Sequence, residues 1–395
     1  MDNIERCSRC ILPASLPSVE LDEAGVCAHC RAYDLLAAEL ERTKEERAEQ
    51  LDRIVRKAKE ARKPYDCVVP LSGGRDSTYA LYLCSQVYGL RCLCATLDNG
   101  YLTEGARANI ENALRATGVD HMVYRVNRDI MLELYGLTMR NAGEFCVACN
   151  RGIEVTIRAI AQAFAVPLVM TGHGKLPTYL SDGRMPEVFQ GGGLGLFKEV
   201  LCGEQLDGRT APFLVHGYER PALSKISHGV ARLLPQGLPR RAWSAIHTGA
   251  RRAFRASSGA SSGTQLIELY DYVDVTDAEI KATLVDHMGW NSAGKVEHLD
   301  CAIADIKLYV QMLKYPDLTR ATIRHSGWIR AGRMGREEAL ELERKEREKP
   351  WEPVMLEQFL ADLGLSRQEL EDLAMRAVGR GEGLDNGRRG VEHVA

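Results

Sequence analysis

Ser72-Gly73-Gly74-Arg75-Asp76-Ser77 brings two hydroxyls, two glycines and a carboxylate into one short stretch. An apolar run, Cys67-Val68-Val69-Pro70-Leu71, precedes it, and Thr78-Tyr79-Ala80-Leu81-Tyr82-Leu83 follows in a helix-like pattern. The order is strand, glycine turn, helix N-terminus. Such a turn leaves backbone N–H groups unpaired, converging on one spot with the helix dipole behind them. The glycines let the backbone approach an anion, and Ser72 and Ser77 add hydroxyl donors. A carboxylate at Asp76 would repel phosphate unless a Mg²⁺ ion sits between them. No G-K-[ST] closes the loop, so it is not a Walker A motif.

The cysteines make two further constellations. Cys7-x-x-Cys10 and Cys27-x-x-Cys30 form a paired knuckle. Each turn aims two thiolates at one point, and two turns complete a tetrahedral zinc site. With all four positions filled by protein, that site is expected to be structural and to supply folding energy to residues 1–34. Cys146-x-x-Cys149 stands alone just before a helix-like run, Asn150–Phe164. It reads as half a metal site, a redox pair or two buried cysteines. A metal site needs another ligand, for which Cys301 is the first candidate and Cys202 the second. Three cysteines with an open fourth position suit a [4Fe–4S] cluster. Cys67, Cys84, Cys92 and Cys94 lie in apolar contexts and read as core residues.

The elements that must position these groups follow from periodicity. Strand-like runs cover 66–71, 90–97, 121–126 and 167–171. Helix-like runs cover 77–87, 104–117, 129–141 and 151–164. This alternation predicts an α/β fold, a doubly wound and mostly parallel sheet with helices on both faces. Its ligand belongs outside the carboxyl ends of the strands, where Ser72, Asp98-Asn99-Gly100 and Thr171-Gly172-His173 fall. Residues 35–63 read as one exposed helical linker and 64–219 as the α/β domain. Residues 220–265 form a basic, Ser/Gly-rich insertion that either contacts an anionic substrate or RNA or is a solvated, mobile segment. From 266 to 378 helical periodicity returns, with capping segments at Thr276–Glu279 and Ser366–Glu369, and 379–395 reads as a flexible tail.

Composition bounds the class. The chain has 395 residues, a net charge of −3 and twelve cysteines. That charge argues against a globally nucleic-acid-seeking protein. No apolar run approaches the ~20 residues of a membrane-spanning helix. The first residues contain no signal-peptide core, so a cytoplasmic location and no membrane partner are expected.

The Ser72–Ser77 stretch resembles the PP-loop signature S-G-G-x-D-S of the ATP pyrophosphatases, HUP-like proteins that cleave ATP between the α and β phosphates. Almost the whole chain resembles the N-acetyl sugar amidotransferases of surface-polysaccharide synthesis. That resemblance is carried by the knuckle with Pro13 and Gly25-Val26, the PP-loop, Asn109-Ile110-Glu111-Asn112, Gly289-Trp290, Gly294-Lys295 and Ile329–Leu340. Residues 66–180, with Cys146-x-x-Cys149 and Thr171-Gly172-His173, are similar to the iron–sulfur PP-loop thiolases that modify tRNA.

Both resemblances imply one half-reaction. A carbonyl oxygen of the acceptor attacks the ATP α-phosphate and releases pyrophosphate, and ammonia or sulfide then displaces AMP. They imply Ser72, Gly73, Gly74 and Ser77 on pyrophosphate, Asp76 on Mg²⁺, and Asp98 and Asn99 near the adenosine. Gly172 and His173 fall at the rim by the α-phosphate, and Cys146 and Cys149 beside them, with Lys175, Lys295 and His298 as further candidates. Arg75 either faces away or caps the phosphate. The implied cofactors are ATP, Mg²⁺, Zn²⁺ and a [4Fe–4S] cluster. The implied partners are a sugar-nucleotide acceptor with an ammonia-supplying glutaminase, or a sulfur donor protein with tRNA or a small metabolite.

Overall fold

The computed structural model describes residues 4–16, 19–174, 264–292, 300–348 and 351–384, with side chains to residue 376. Lys175, Cys202, Lys295, His298, the 183–217 glycine-rich stretch, the 220–263 basic and Ser/Gly run and the end of the tail lie outside the described residues.

Five parallel strands form the sheet in the order β3-β2-β1-β4-β5. They are β1 (Cys67–Pro70), β2 (Cys92–Asp98), β3 (Asp120–Arg125), β4 (Leu168–Thr171) and β5 (Gln265–Glu268). β1, β2 and β4 read as apolar runs because both faces are covered. Val68, Leu93, Ala95 and Val169 pack on one side against Ile157, Ile160 and Ala161 of the helix Cys146–Ala163. Cys67, Val69, Leu71, Cys94 and Met170 face a second layer. Cys67, Cys84, Cys92 and Cys94 are buried, as their contexts imply.

The expected strands and helices recur with small shifts, and three differences matter. Residues 35–63 are not one helix but two, α1 (Ala28–Arg42) and α2 (Lys44–Glu60), with a break at Thr43. The helix expected from Arg151 starts at Cys146, so the C-x-x-C lies on α6 (Cys146–Ala163) rather than before it. Residues 265–268, read as the edge of an insertion and the start of a helical region, form β5 beside β4. Four residues at a sheet edge, with Leu266 exposed and Ile267 buried, are too few to display a strand period.

α3 (Arg75–Tyr82) follows β1 and continues as a π turn over Leu83–Val87. α4 (Glu104–Thr117) links β2 to β3; Thr103 caps its N-terminus and Gly118 ends it at φ +66°. α5 (Arg128–Ala142) starts on an Asn127 cap. Beyond the sheet, α7 (Asp277–Met288) begins with the expected Thr276/Glu279 capping box. α8 (Ala304–Lys314), α9 (Arg320–Arg330), α10 (Arg336–Glu348), α11 (Leu356–Leu363) and α12 (Arg367–Leu384) complete the described chain. The second expected cap is present too: Ser366 Oγ accepts the Glu369 amide, and a Glu369 carboxylate oxygen accepts the Ser366 amide. Among the described residues, no helix is long and apolar enough to cross a membrane.

The chain builds outward from β1 to β2 and β3, then returns to place β4 on the other side of β1. Strand order therefore reverses between β1 and β4, which is where ligands of such sheets bind. Ser72 and Gly172 lie there.

Candidate active site at the sheet switch point

The turn after β1 is locked from behind. Gly73 sits at φ +79°, where side chains are rarely tolerated, and a Cβ there would lie 2.3 Å from the Ala106 carbonyl oxygen of α4. The Gly73 carbonyl accepts from Asn109 Nδ2 at 3.2 Å and from the buried Trp290 Nε1 at 3.1 Å. Asn109 is itself paired with the Asn291 backbone in both directions, at 2.9 Å each. Thus the Asn109–Asn112 and Gly289-Trp290 motifs, far apart in sequence, meet at this loop.

Within the turn, Ser77 Oγ accepts the Ser72 amide at 3.1 Å and lies 3.0 Å from Ser72 Oγ. Gly74 is the N-cap residue of α3 and no side chain caps that helix. The first-turn amides therefore face outward with the helix dipole behind them, the arrangement that binds anions.

Asp76 Oδ1 accepts from Arg75 Nε at 2.8 Å and from the Tyr270 hydroxyl at 3.1 Å. Arg75 also pairs with Asp277 of α7 at 3.2 Å, so it faces across the loop toward carboxylates. Tyr270 follows β5 and stacks on Tyr79 at 6.3 Å. Burial, with Asp76 beside it, pushes its hydroxyl far above the ordinary range. Gly172 closes the other side: a Cβ there would lie 2.2 Å from the Asp76 carbonyl oxygen. His173 is exposed, and its carbonyl accepts the Tyr270 amide at 2.9 Å.

Asp98 is almost fully buried. Its Oδ1 accepts the Gly100 amide at 3.0 Å, and its Oδ2 takes Arg125 Nη2 at 2.8 Å and Arg107 Nη2 at 3.5 Å. Burial raises its pKa, but the Gly100 amide and the two guanidiniums outweigh that and hold the carboxyl below its usual range. Its carboxylate is thus engaged inside the chain, where it fixes the turn carrying Asn99. Asn99 follows in that turn, and its side chain reaches two of the thiols. Its amide nitrogen donates to Cys149 Sγ at 3.2 Å and lies 3.9 Å from Cys301 Sγ.

Cys146, Cys149 and Cys301 are half-buried at one end of α6. The 300–302 segment brings Cys301 there by zipping onto 101–103. Leu102 and Cys301 form an antiparallel bridge, flanked by Ala302 N to Tyr101 O at 2.8 Å and Thr103 N to Asp300 O at 3.3 Å. The Cys149 sulfur also lies 2.7 Å from the hydroxyl of the buried Tyr135. Glu144 accepts the Cys146 amide at 2.8 Å and is held by Gln311 of α8 at 3.1 Å. Burial pushes all three thiols up, Cys301 to about 12, while the Asn99 and Tyr135 hydrogen bonds work against it at Cys149. Two polar groups, the Asn99 amide and the Tyr135 hydroxyl, thus converge on the Cys149 sulfur.

The N-terminal knuckle has the geometry of a four-thiolate metal site, which zinc or iron would fill. Four thiolates about 2.3 Å from one ion lie roughly 3.8 Å apart along the edges of the tetrahedron. Cys7 and Cys30 Sγ are 3.9 Å apart, and Cys10 and Cys27 Sγ are 3.8 Å apart. All four are buried with ligand atoms within 4.8 Å of one another. Cys7 Sγ accepts the Cys27 amide at 3.2 Å and the Cys10 amide at 3.4 Å. The knuckle is packed on the C-terminal helices through Leu12, Leu16, Leu318 and Ile323. Arg336 Nε donates to Cys10 O at 3.1 Å, and Arg6 pairs with Glu343 at 3.1 Å.

Comparison with known proteins bears on that C-terminal part. Residues 298–380 match the family described as LPS biosynthesis protein WbpG-like, C-terminal domain. Over these residues the chain is similar to that domain. This region supplies Asp300 and Cys301 to the rim of the sheet and Arg336 to the knuckle. An uncharacterised protein of Methanocaldococcus jannaschii is 25% identical over 169 residues, or 42% of this chain. The match spans 58% of that relative's length. The U34-tRNA thiolase NcsA from Methanococcus maripaludis, solved with its [4Fe-4S] cluster, is 13% identical with a TM-score of 0.30, covering 83% of this chain and 88% of its own. NMN synthetase from Francisella tularensis is 14% identical with a TM-score of 0.27, covering 65% and 97%. Neither structure bears on the chemistry of this chain.

Tyr135, Tyr270 and Asp300 were not singled out by their sequence contexts. Tyr135 is one apolar position among many in α5. Tyr270 follows a strand whose period is invisible. Asp300 draws attention only through its neighbour Cys301.

Proposed function

We propose that this protein is an ATP-dependent amidotransferase acting on an N-acetylated sugar nucleotide in surface-polysaccharide synthesis. One observation carries the reading: an uncapped glycine turn at the sheet switch point, with a segment of the WbpG-like domain zipped beside it. The acetamido oxygen of the acceptor attacks the ATP α-phosphorus, the α–β bridging bond breaks, and pyrophosphate leaves into the Ser72–Ser77 turn. The resulting imidate carries AMP on oxygen. Ammonia adds to its carbon, a proton is lost, and the C–O bond breaks to release AMP and the acetamidino product. Backbone amides, Ser72, Ser77 and a Mg²⁺ ion on Asp76 would offset the charge that grows on pyrophosphate. A glutaminase partner supplies the ammonia.

A second reading rests on the thiols gathered around Asn99. A [4Fe–4S] cluster held by Cys146, Cys149 and Cys301 would bind sulfide as the incoming nucleophile, making the protein a sulfurtransferase. Wild type and Cys149→Ala, purified without oxygen, separate the two when given ATP, an acetamido sugar nucleotide and ammonia. The amidotransferase reading expects acceptor-dependent AMP in wild type and activity within about threefold of it in the variant. A brown wild type whose colour and activity both vanish in Cys149→Ala, with turnover only on sulfide, sinks it.

A further inference from the structure

We propose that Asp300 of the WbpG-like domain is a second carboxylate for the divalent cation of the bound nucleotide. The assignment rests on the nucleotide reading proposed above. An ideal Cβ on Gly74 would lie 3.7 Å from Asp300 Oδ2 and 3.8 Å from its Cγ, so this carboxylate stands directly over the N-terminus of α3. Its position is not adventitious. Asp300 is the first residue of the segment that zips onto 101–103, with its own carbonyl accepting the Thr103 amide at 3.3 Å.

Among the described residues, three simpler roles find no support. A helix cap would accept an amide of α3, and no side chain does so. A salt bridge would need a cation, and no described residue pairs with the Asp300 side chain. A packing role would bury the group, which is only half-buried. What remains is a carboxylate next to an anion-binding turn, which repels phosphate unless a cation joins them. Asp76 is the carboxylate within the turn itself: Arg75 and Tyr270 occupy its Oδ1, and no described residue bonds its Oδ2. Mg²⁺ characteristically takes one or two carboxylates together with substrate phosphates and keeps water in its remaining positions. Because Asp300 comes from the C-terminal domain, the cation would join that domain to the sheet.

The test uses the full chain, Mn²⁺ as the spectroscopic probe, and a non-hydrolysable ATP analogue. Wild type, Asp300→Asn and Asp300→Glu are compared for nucleotide binding with Mn²⁺ and with a chelator. The assignment expects Asp300→Asn to weaken Mn²⁺-dependent nucleotide binding at least tenfold and to raise the Mg²⁺ needed for half-maximal pyrophosphate release by a similar factor. Binding in chelator should be unchanged or tighter, since a negative charge has gone. Asp300→Glu should recover part of the metal dependence, which a merely structural residue would not do. Equal Mn²⁺-dependent binding in wild type and Asp300→Asn overturns the assignment and leaves the nucleotide reading standing. A wild type that binds no nucleotide with or without metal overturns both.

Discussion

Gly73→Ala is expected to lower pyrophosphate release at least a hundredfold while the sheet stays folded. Two penalties fall on one atom. At φ +79° an L-residue is strained by about 1–2 kcal/mol. The new Cβ would also meet the Ala106 carbonyl oxygen at 2.3 Å, which is backbone of α4 and has no rotamer to escape into. The turn itself has to move. It cannot move freely, because Asn109 and Trp290 grip the Gly73 carbonyl from behind. The displacement therefore goes into the amides facing the ligand, and one misplaced donor in such a site costs about 10²–10³ in rate. The check is pyrophosphate release beside a melting curve. Activity within fivefold of wild type would mean the turn does not bind the leaving group.

The second large effect is on stability. Cys27→Ser is expected to abolish metal binding by the four-cysteine knuckle and to loosen α9 and α10 along with it. A structural zinc contributes about 10–16 kcal/mol of apparent binding energy, which matches or exceeds the whole stability of a typical domain at about 5–15 kcal/mol. The loss cannot stay local. Leu318 and Ile323 share one core with the four cysteines, and Arg336 holds the Cys10 carbonyl. Glu343 loses its Arg6 partner if the knuckle melts, leaving a buried carboxylate with less compensation. Metal content and amide exchange across residues 320–348 measure this, and a chelator should reproduce it in wild type. Exchange in α9 and α10 unchanged by Cys27→Ser would contradict a structural role for the site.

Local chemistry was legible in the sequence and long-range pairing was not. The Ser72 turn, the two C-x-x-C turns and the capping boxes are each encoded within a few residues, so they can be read without the fold. The parallel sheet was legible because buried strands alternate with amphipathic helices. β5 was not, since Gln265–Glu268 is short, lies at an edge and pairs with a strand almost a hundred residues earlier. Tyr270 was hidden with it. Asp98 shows another limit. Its pairing with Arg107 and Arg125 had no sequence signal, because those contacts depend on how α4 and β3 pack. The contact of Asn99 with the thiols was hidden for the same reason, because its direction is set by the Asp98–Gly100 turn. The meeting of Cys301 with Cys149 had a sequence hint in its polar context, but the strand-like bridge to Leu102 that brings it there had none.

The position of ATP cleavage tests the central claim most directly. Wild type, supplied with ATP, Mg²⁺, ammonia and an acetamido sugar nucleotide, should yield AMP and pyrophosphate in equal amounts. Both should disappear in Asp76→Ala. Release of ADP and phosphate, or nucleotide binding with no turnover under these conditions, would contradict the account.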